Sequence, residues 1–122
     1  MPDPLFGRRV LVVEDEYYLA EELDEALRAV GATVLGPVPS IEDALELLEG
    51  DLPDLATVDV NLRGEMAYSV ADALLARGVP FLFTTGYDQA SLPERHAGVR
   101  RLEKPVEVRK IIQELGRLTN TD

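Results

Sequence analysis

The segment Val10-Leu11-Val12-Val13-Glu14-Asp15-Glu16 decides the fold. Four aliphatic residues, three of them β-branched, follow one another with no polar residue between them, which suits a strand buried on both faces. The run then stops at three acids, so charge gathers where the strand leaves the core. Three further runs of this kind follow, Thr33–Val38, Leu55–Val60 and Phe81–Thr84, with a weaker fifth at Val99–Leu102.

Between the runs the hydrophobic period becomes helical. Leu19, Leu23, Ala26, Leu27 and Val30 recur on one helix face, and Gly31 is placed to cap its C-terminus. Ile41, Ala44, Leu45 and Leu48 repeat the pattern, with Ser40 as N-cap, Asp43 in the capping-box position, and Gly50 and Pro53 closing the segment. A third helix is expected through Val70, Ala71, Leu74 and Leu75, stopping at Gly78 and Pro80. The last runs through Val108, Ile111, Ile112, Leu115 and Leu118. From Tyr87 to Gly98 the pattern is poor and Pro93 limits any helix to a short one, so this stretch is expected to be the most mobile. Strands alternating with helices through short connections imply an α/β domain: a doubly wound parallel sheet of five strands, spanning residues 1–122 as one unit.

The 122 residues carry 23 Asp+Glu against 12 Lys+Arg, a net charge of −11, which argues against nucleic acid or an anionic membrane as partner. The charge is uneven: residues 1–65 hold 16 acids and 4 bases, whereas residues 66–122 hold 7 acids and 8 bases. Without cysteine, thiolate catalysis and cysteine-ligated metals are excluded, and the lone His96 cannot build a multi-histidine site. The N-terminus lacks an apolar signal core and no apolar run approaches the ~20 residues of a membrane span, so a cytoplasmic setting is expected.

Parallel sheets of this kind bind ligands beyond the carboxyl ends of their strands. Glu14-Asp15-Glu16 follows the first strand, Asp59-Val60-Asn61 the third, Thr85-Gly86 the fourth and Lys104-Pro105 the fifth. Taken singly, each has an ordinary structural role: Asp15 as a helix cap, Asp59 as a polar strand terminus, Thr85-Gly86 as a turn, Lys104-Pro105 as a loop entering a helix. Together they bring carboxylates, a hydroxyl and an ammonium to one rim. Two carboxylates 5 Å apart repel by about 3 kcal/mol at an effective dielectric near 20, which a hard divalent cation would relieve. Oxygen ligands open to water suit Mg²⁺ (or Mn²⁺) better than a closed Ca²⁺ cage.

This ordered set resembles the receiver domain of two-component response regulators, over essentially the whole chain. The resemblance implies a flavodoxin-like (βα)5 sheet of strand order 2-1-3-4-5. It also implies that Asp59 accepts a phosphoryl group from a kinase phosphohistidine. Asp15, Asp59 and the backbone carbonyl of Asn61 would hold Mg²⁺, with Glu14 acting through a bound water. Lys104 would pair with the phosphoryl group, and Thr85, rather than Thr84, would be the switch hydroxyl. Pro80-Phe-Leu-Phe-Thr-Thr-Gly-Tyr87 further resembles a signature of stand-alone receivers associated with HWE-type histidine kinases, with Thr84 in place of the usual Ala. The implied partners are a sensor histidine kinase or a histidine phosphotransfer protein, and an unidentified downstream protein.

One position departs from the family pattern. Arg101 stands where receivers usually carry a switch Tyr or Phe, and Tyr87, two residues after Thr85, is the candidate substitute. Tyr17 and Tyr18 read mainly as helix packing, with a kinase contact as the alternative. Arg100, Arg101, Arg109, Lys110 and Arg117 read as a solvated face, or else as a docking surface for an acidic partner. His96 reads as a loop residue. Two other function classes compete: a Mg²⁺-dependent phosphohydrolase with an aspartyl nucleophile, and a receiver that binds partners without phosphorylation. The first needs a general acid two residues after Asp59, where this chain has Asn61; the intact set of Glu14, Asp15, Asp59, Thr85 and Lys104 argues against the second.

Overall fold

Uninterrupted apolar runs become strands, and helical stripes become helices on either side of them. The computed structural model describes residues 3–50, 52–86 and 92–119. In chain order the elements are β1 (Arg9–Val13), α1 (Tyr17–Ala29), β2 (Thr33–Val38), α2 (Ile41–Gly50), β3 (Leu55–Asp59), β4 (Asn61–Leu62), β5 (Glu65–Met66), α3 (Tyr68–Ala76), β6 (Phe81–Thr85), β7 (Arg100–Glu103) and α4 (Val108–Leu118), with a 3-10 turn at Glu94–His96 before β7. The main sheet is parallel, in the order β2-β1-β3-β6-β7. Counting only its five strands, that is the expected 2-1-3-4-5.

Side chains leave the sheet alternately, so two cores form. Leu11, Val13, Ala56, Val58, Phe81 and Phe83 meet Ala44 and Leu48 of α2 and Val70, Ala71 and Leu74 of α3. Val10, Val12, Leu55, Leu82 and Leu102 meet Leu23 and Leu27 of α1 and Val108, Ile111 and Leu115 of α4. Each fully buried aliphatic side chain contributes about 1.5–3 kcal/mol relative to exposure. The Ser40 hydroxyl accepts the Asp43 N–H at 3.2 Å, as its N-cap position requires, and Gly31, just past α1, takes a φ of +89°.

Three local features refine the sequence reading. The apolar run after α2 does not continue through Val60: β3 ends at Asp59, and Asn61 to Met66 fold back as a small antiparallel hairpin, β4–β5. The four helices read from the periodicity are all present, and among the described residues the 3-10 turn is the only helical element between β6 and β7, in keeping with the short helix at most expected there. In that turn His96, read from the sequence as a loop residue, is a buried anchor. Its side chain is fully enclosed, with its ring beside those of Phe83 and Tyr68. Its Nε2 lies 2.8 Å from Asp72 Oδ1, which also accepts a hydrogen bond from Arg95. The hydrogen bonds from Arg95 and then His96 hold the Asp72 carboxyl down at about 2.

Candidate functional site: a carboxylate and ammonium rim

The strand register brings the predicted residues level. Val13 pairs with Val58, Asp59 with Thr84, and Thr85 with Glu103, so β1, β3, β6 and β7 end within about a residue of one another. Glu14 and Asp15 leave β1 there, Asp59 closes β3, Thr85 closes β6, and Lys104 follows β7. The Lys104 N–H donates to the Thr85 carbonyl at 2.7 Å, which ties the last two loops together.

Glu14 and Asp59 are buried and Asp15 is half-buried, and one carboxylate oxygen from each lies within 4.8 Å of the others. Lys104 Nζ donates to Asp59 Oδ2 at 2.9 Å and to Glu14 Oε2 at 3.3 Å. Burial works against the ammonium charge, but the hydrogen bond to Asp59 and the charges of Glu14 and Asp59 outweigh it and hold Lys104 above the ordinary lysine value. Glu14 moves further. Burial first, and then the Asp59 charge, push its carboxyl from 4.5 to about 7, against the Glu16 N–H and Lys104. Three acids sharing one ammonium leave negative charge uncompensated, and an all-oxygen donor set of this spacing could hold a divalent cation.

The other predicted residues divide. Asn61 lies at the rim; its N–H donates to Asp59 Oδ1 at 3.1 Å and its side-chain oxygen accepts the Gly64 N–H at 2.8 Å. Thr84 and Thr85 are both buried in β6, and the Thr84 hydroxyl has no hydrogen-bond partner. Arg101 is exposed on β7, opposite Phe83 in register, so no buried switch side chain occupies that position. Tyr87 lies outside the described residues. Tyr17 and Tyr18 do not pack into the helix core: they are 70% and 81% exposed and stack edge to face beside the rim. A groove of about 510 Å³ runs from Tyr18, Leu19 and Glu22 of α1 to Lys104, Pro105 and Val106. Of the basic residues near the last helix, Arg100 hydrogen-bonds the buried Glu114 of α4, and Lys110 and Arg117 form ion pairs with it; the sequence did not mark this carboxylate out.

Known proteins share both fold and sequence. No protein-family model matches the chain. SdrG from Sphingomonas melonis Fr1 superposes with a TM-score of 0.79 at 34% identity, covering 94% of this chain and 98% of SdrG. SdrG has also been solved in a BeF3-activated conformation, to which this chain is 36% identical with a TM-score of 0.74 over 91% of this chain and 95% of that one. A putative response regulator from Chloroflexus aurantiacus J-10-fl superposes with a TM-score of 0.76 at 27% identity over 93% of this chain and 98% of its own. The sensory transduction protein LytT of Bacillus anthracis is 32% identical over 111 residues, 88% of this chain and 45% of LytT. The chain spans about half the length of the curated relatives it matches. With this fold, this rim and these relatives, the chain belongs to the response-regulator receiver family.

Proposed function

We propose that this chain is a phosphoacceptor in two-component signalling, with Asp59 as the residue modified. The observation that carries the reading is the 2.9 Å bond from Lys104 Nζ to Asp59 Oδ2 inside a cluster of three carboxylates. A carboxylate oxygen of Asp59 attacks the phosphorus of a phosphohistidine; the P–O bond forms, the P–N bond breaks, and the imidazole leaves with the bonding pair and takes up a proton. Lys104, already at the acceptor, then faces the new phosphoryl oxygens as a point charge. The donor set of Asp15, Asp59, the Asn61 carbonyl and, through water, Glu14 suits Mg²⁺ (or Mn²⁺), which when bound would neutralise charge on the transferring oxygens.

A phosphoryl group adds about −1.5 to −2 of charge and three acceptor oxygens. Thr85, closing the strand next to Asp59, is the hydroxyl assigned to them, and the output surface lies near Thr85, Tyr87 and β7–α4. The exposed Tyr17 and Tyr18 and the groove beside Lys104 form the face for the phosphodonor, a sensor histidine kinase or a histidine phosphotransfer protein. The Pro80 to Tyr87 signature favours a stand-alone receiver paired with an HWE-type kinase, acting in the cytoplasm. No helix among the described residues is long and apolar enough to cross a membrane.

A turnover phosphohydrolase is the weaker reading. Asn61 cannot serve as general acid, and its side-chain oxygen is engaged by Gly64. Incubation with Mg²⁺ and acetyl phosphate separates the two. The receiver reading expects a stoichiometric mass gain of one phosphoryl group that is lost in Asp59→Asn. Multiple turnover without a phosphorylated species, or an unmodified wild type, would refute it.

A further inference from the structure

Each of the three rim carboxylates accepts one backbone N–H. Glu14 takes that of Glu16 and Asp59 that of Asn61, both at 3.1 Å and both two residues along, so these bonds follow from local chain geometry. Asp15 is different. Its Oδ2 accepts the N–H of Arg63, 48 residues away, at 2.8 Å.

Arg63 and Gly64 form the two-residue tip of the β4–β5 hairpin, with φ of +54° and +89°, the left-handed pair that a tight hairpin turn of this length uses. Arg63 has no short polar side chain to ease that conformation, so the turn is held from outside. Asn61 Oδ1 accepts the Gly64 N–H at 2.8 Å, Asn61 pairs with Met66 and Leu62 with Glu65, and the Ala67 N–H closes the base on the Val60 carbonyl at 2.7 Å. The tip therefore presents a fixed N–H to Asp15, independent of the Arg63 side chain.

We propose that the β4–β5 hairpin is a positioning element of the cation site, which holds Asp15 through the Arg63 amide and thereby sets the affinity of the rim for a divalent cation. This rests on the phosphoacceptor reading above. The amide engages one oxygen of Asp15, Oδ2, and so fixes the orientation of the carboxylate. It also keeps a half-buried carboxylate beside two buried acids that repel it. A loosened tip lets Asp15 turn toward water, and the ordering then has to be regained on binding. Linkage makes the effect reciprocal: a cation at the rim steadies the hairpin by the same factor.

The test is a Mg²⁺ titration of the full chain by calorimetry, with amide exchange at Arg63 followed by NMR. In Gly64→Val the added Cβ meets nothing within 4 Å, so the change acts first on the left-handed backbone. Gly78→Val, at φ +70° and with an equally open Cβ, applies a similar strain in the connection between α3 and β6, at the end of that strand away from the rim. Gly64→Val is expected to weaken Mg²⁺ binding about tenfold, the scale of one lost hydrogen bond to a charged group, whereas Gly78→Val lowers stability but keeps wild-type affinity. Asn61→Ala, which releases the tip without backbone strain and retains the peptide carbonyl, is expected to weaken binding about threefold and serves if Gly64→Val does not fold. Exchange at Arg63 slows on saturation with Mg²⁺ in the wild type. Wild-type affinity in both hairpin variants, or an equal loss in Gly78→Val, overturns the role of the hairpin while leaving the phosphoacceptor reading intact. A wild type that binds no Mg²⁺ and takes up no phosphoryl group overturns the reading itself.

Discussion

Glu14 and Glu114 are both buried, at 4% and 3% exposure, and their surroundings are opposite in sign. Glu114 accepts from Arg100 Nε at 2.8 Å, and Arg117 Nη1 and Lys110 Nζ lie 3.2 and 3.3 Å from it. The Arg100 hydrogen bond first, and then the pull of Lys110 and the Arg117 charge, overcome burial and hold its carboxyl below the ordinary value. Glu14 sits with Asp15 and Asp59 and shares one lysine, and its carboxyl rises to about 7. The same side chain at the same depth is thus outnumbered by bases in one place, all about half exposed or more and so open to water, and by acids in the other. Only the acidic cluster has negative charge left over for a cation.

The contrast can be broken most strongly through pH. In metal-free protein, folded Glu14 binds its proton more tightly than the unfolded chain does. Its contribution to stability is therefore full below about pH 4.5 and is lost as pH rises through about 7. Glu14→Gln removes that loss and is expected to raise stability at pH 8 by up to roughly 3 kcal/mol, read by urea denaturation across the pH range. Identical pH profiles for wild type and variant would contradict the assignment. Glu114→Ala has the smaller effect, a loss of about 1–2 kcal/mol at pH 7, because the bases left behind are about half exposed or more and rehydrate. Its sign with pH is reversed: a depressed carboxyl stabilises above its unfolded value, so the cost of the substitution fades in acid. Phosphorylation by acetyl phosphate is expected to be unchanged in this variant; a change would join the two clusters.

The sheet and the rim were legible in the sequence because both rest on strong local signals. Val10–Val13 shows no polar alternation, and the rim acids stand where buried strands end, Glu14 and Asp15 after Val13 and Asp59 after Val58, whereas Lys104 follows the weaker run at Val99–Leu102. What escaped had no such local signal. The two-residue strands β4 and β5 are too short to show a period, and only Gly64 hinted at a turn. Nothing in the sequence ties Arg63 to Asp15, because the donor is a backbone amide. His96 sits in a stretch with few apolar neighbours, yet Tyr68 and Phe83 from other elements enclose it. Tyr17 and Tyr18 misled in the opposite direction, since aromatic residues at the start of a helix suggest packing and these two face outward. Glu114 lies on the same stretch as its three bases, but their spacing alone does not reveal that they converge on it.

The central claim is that Asp59 is the residue modified, and reductive trapping addresses it directly. Borohydride converts an aspartyl phosphate to homoserine, which peptide mass spectrometry locates in the chain. After treatment with Mg²⁺ and acetyl phosphate, homoserine is expected at position 59 and at no other acid of the rim. Homoserine at position 15 instead, 2-amino-5-hydroxypentanoate from a reduced glutamyl phosphate at position 14, or neither in a protein shown to be folded, would contradict the account.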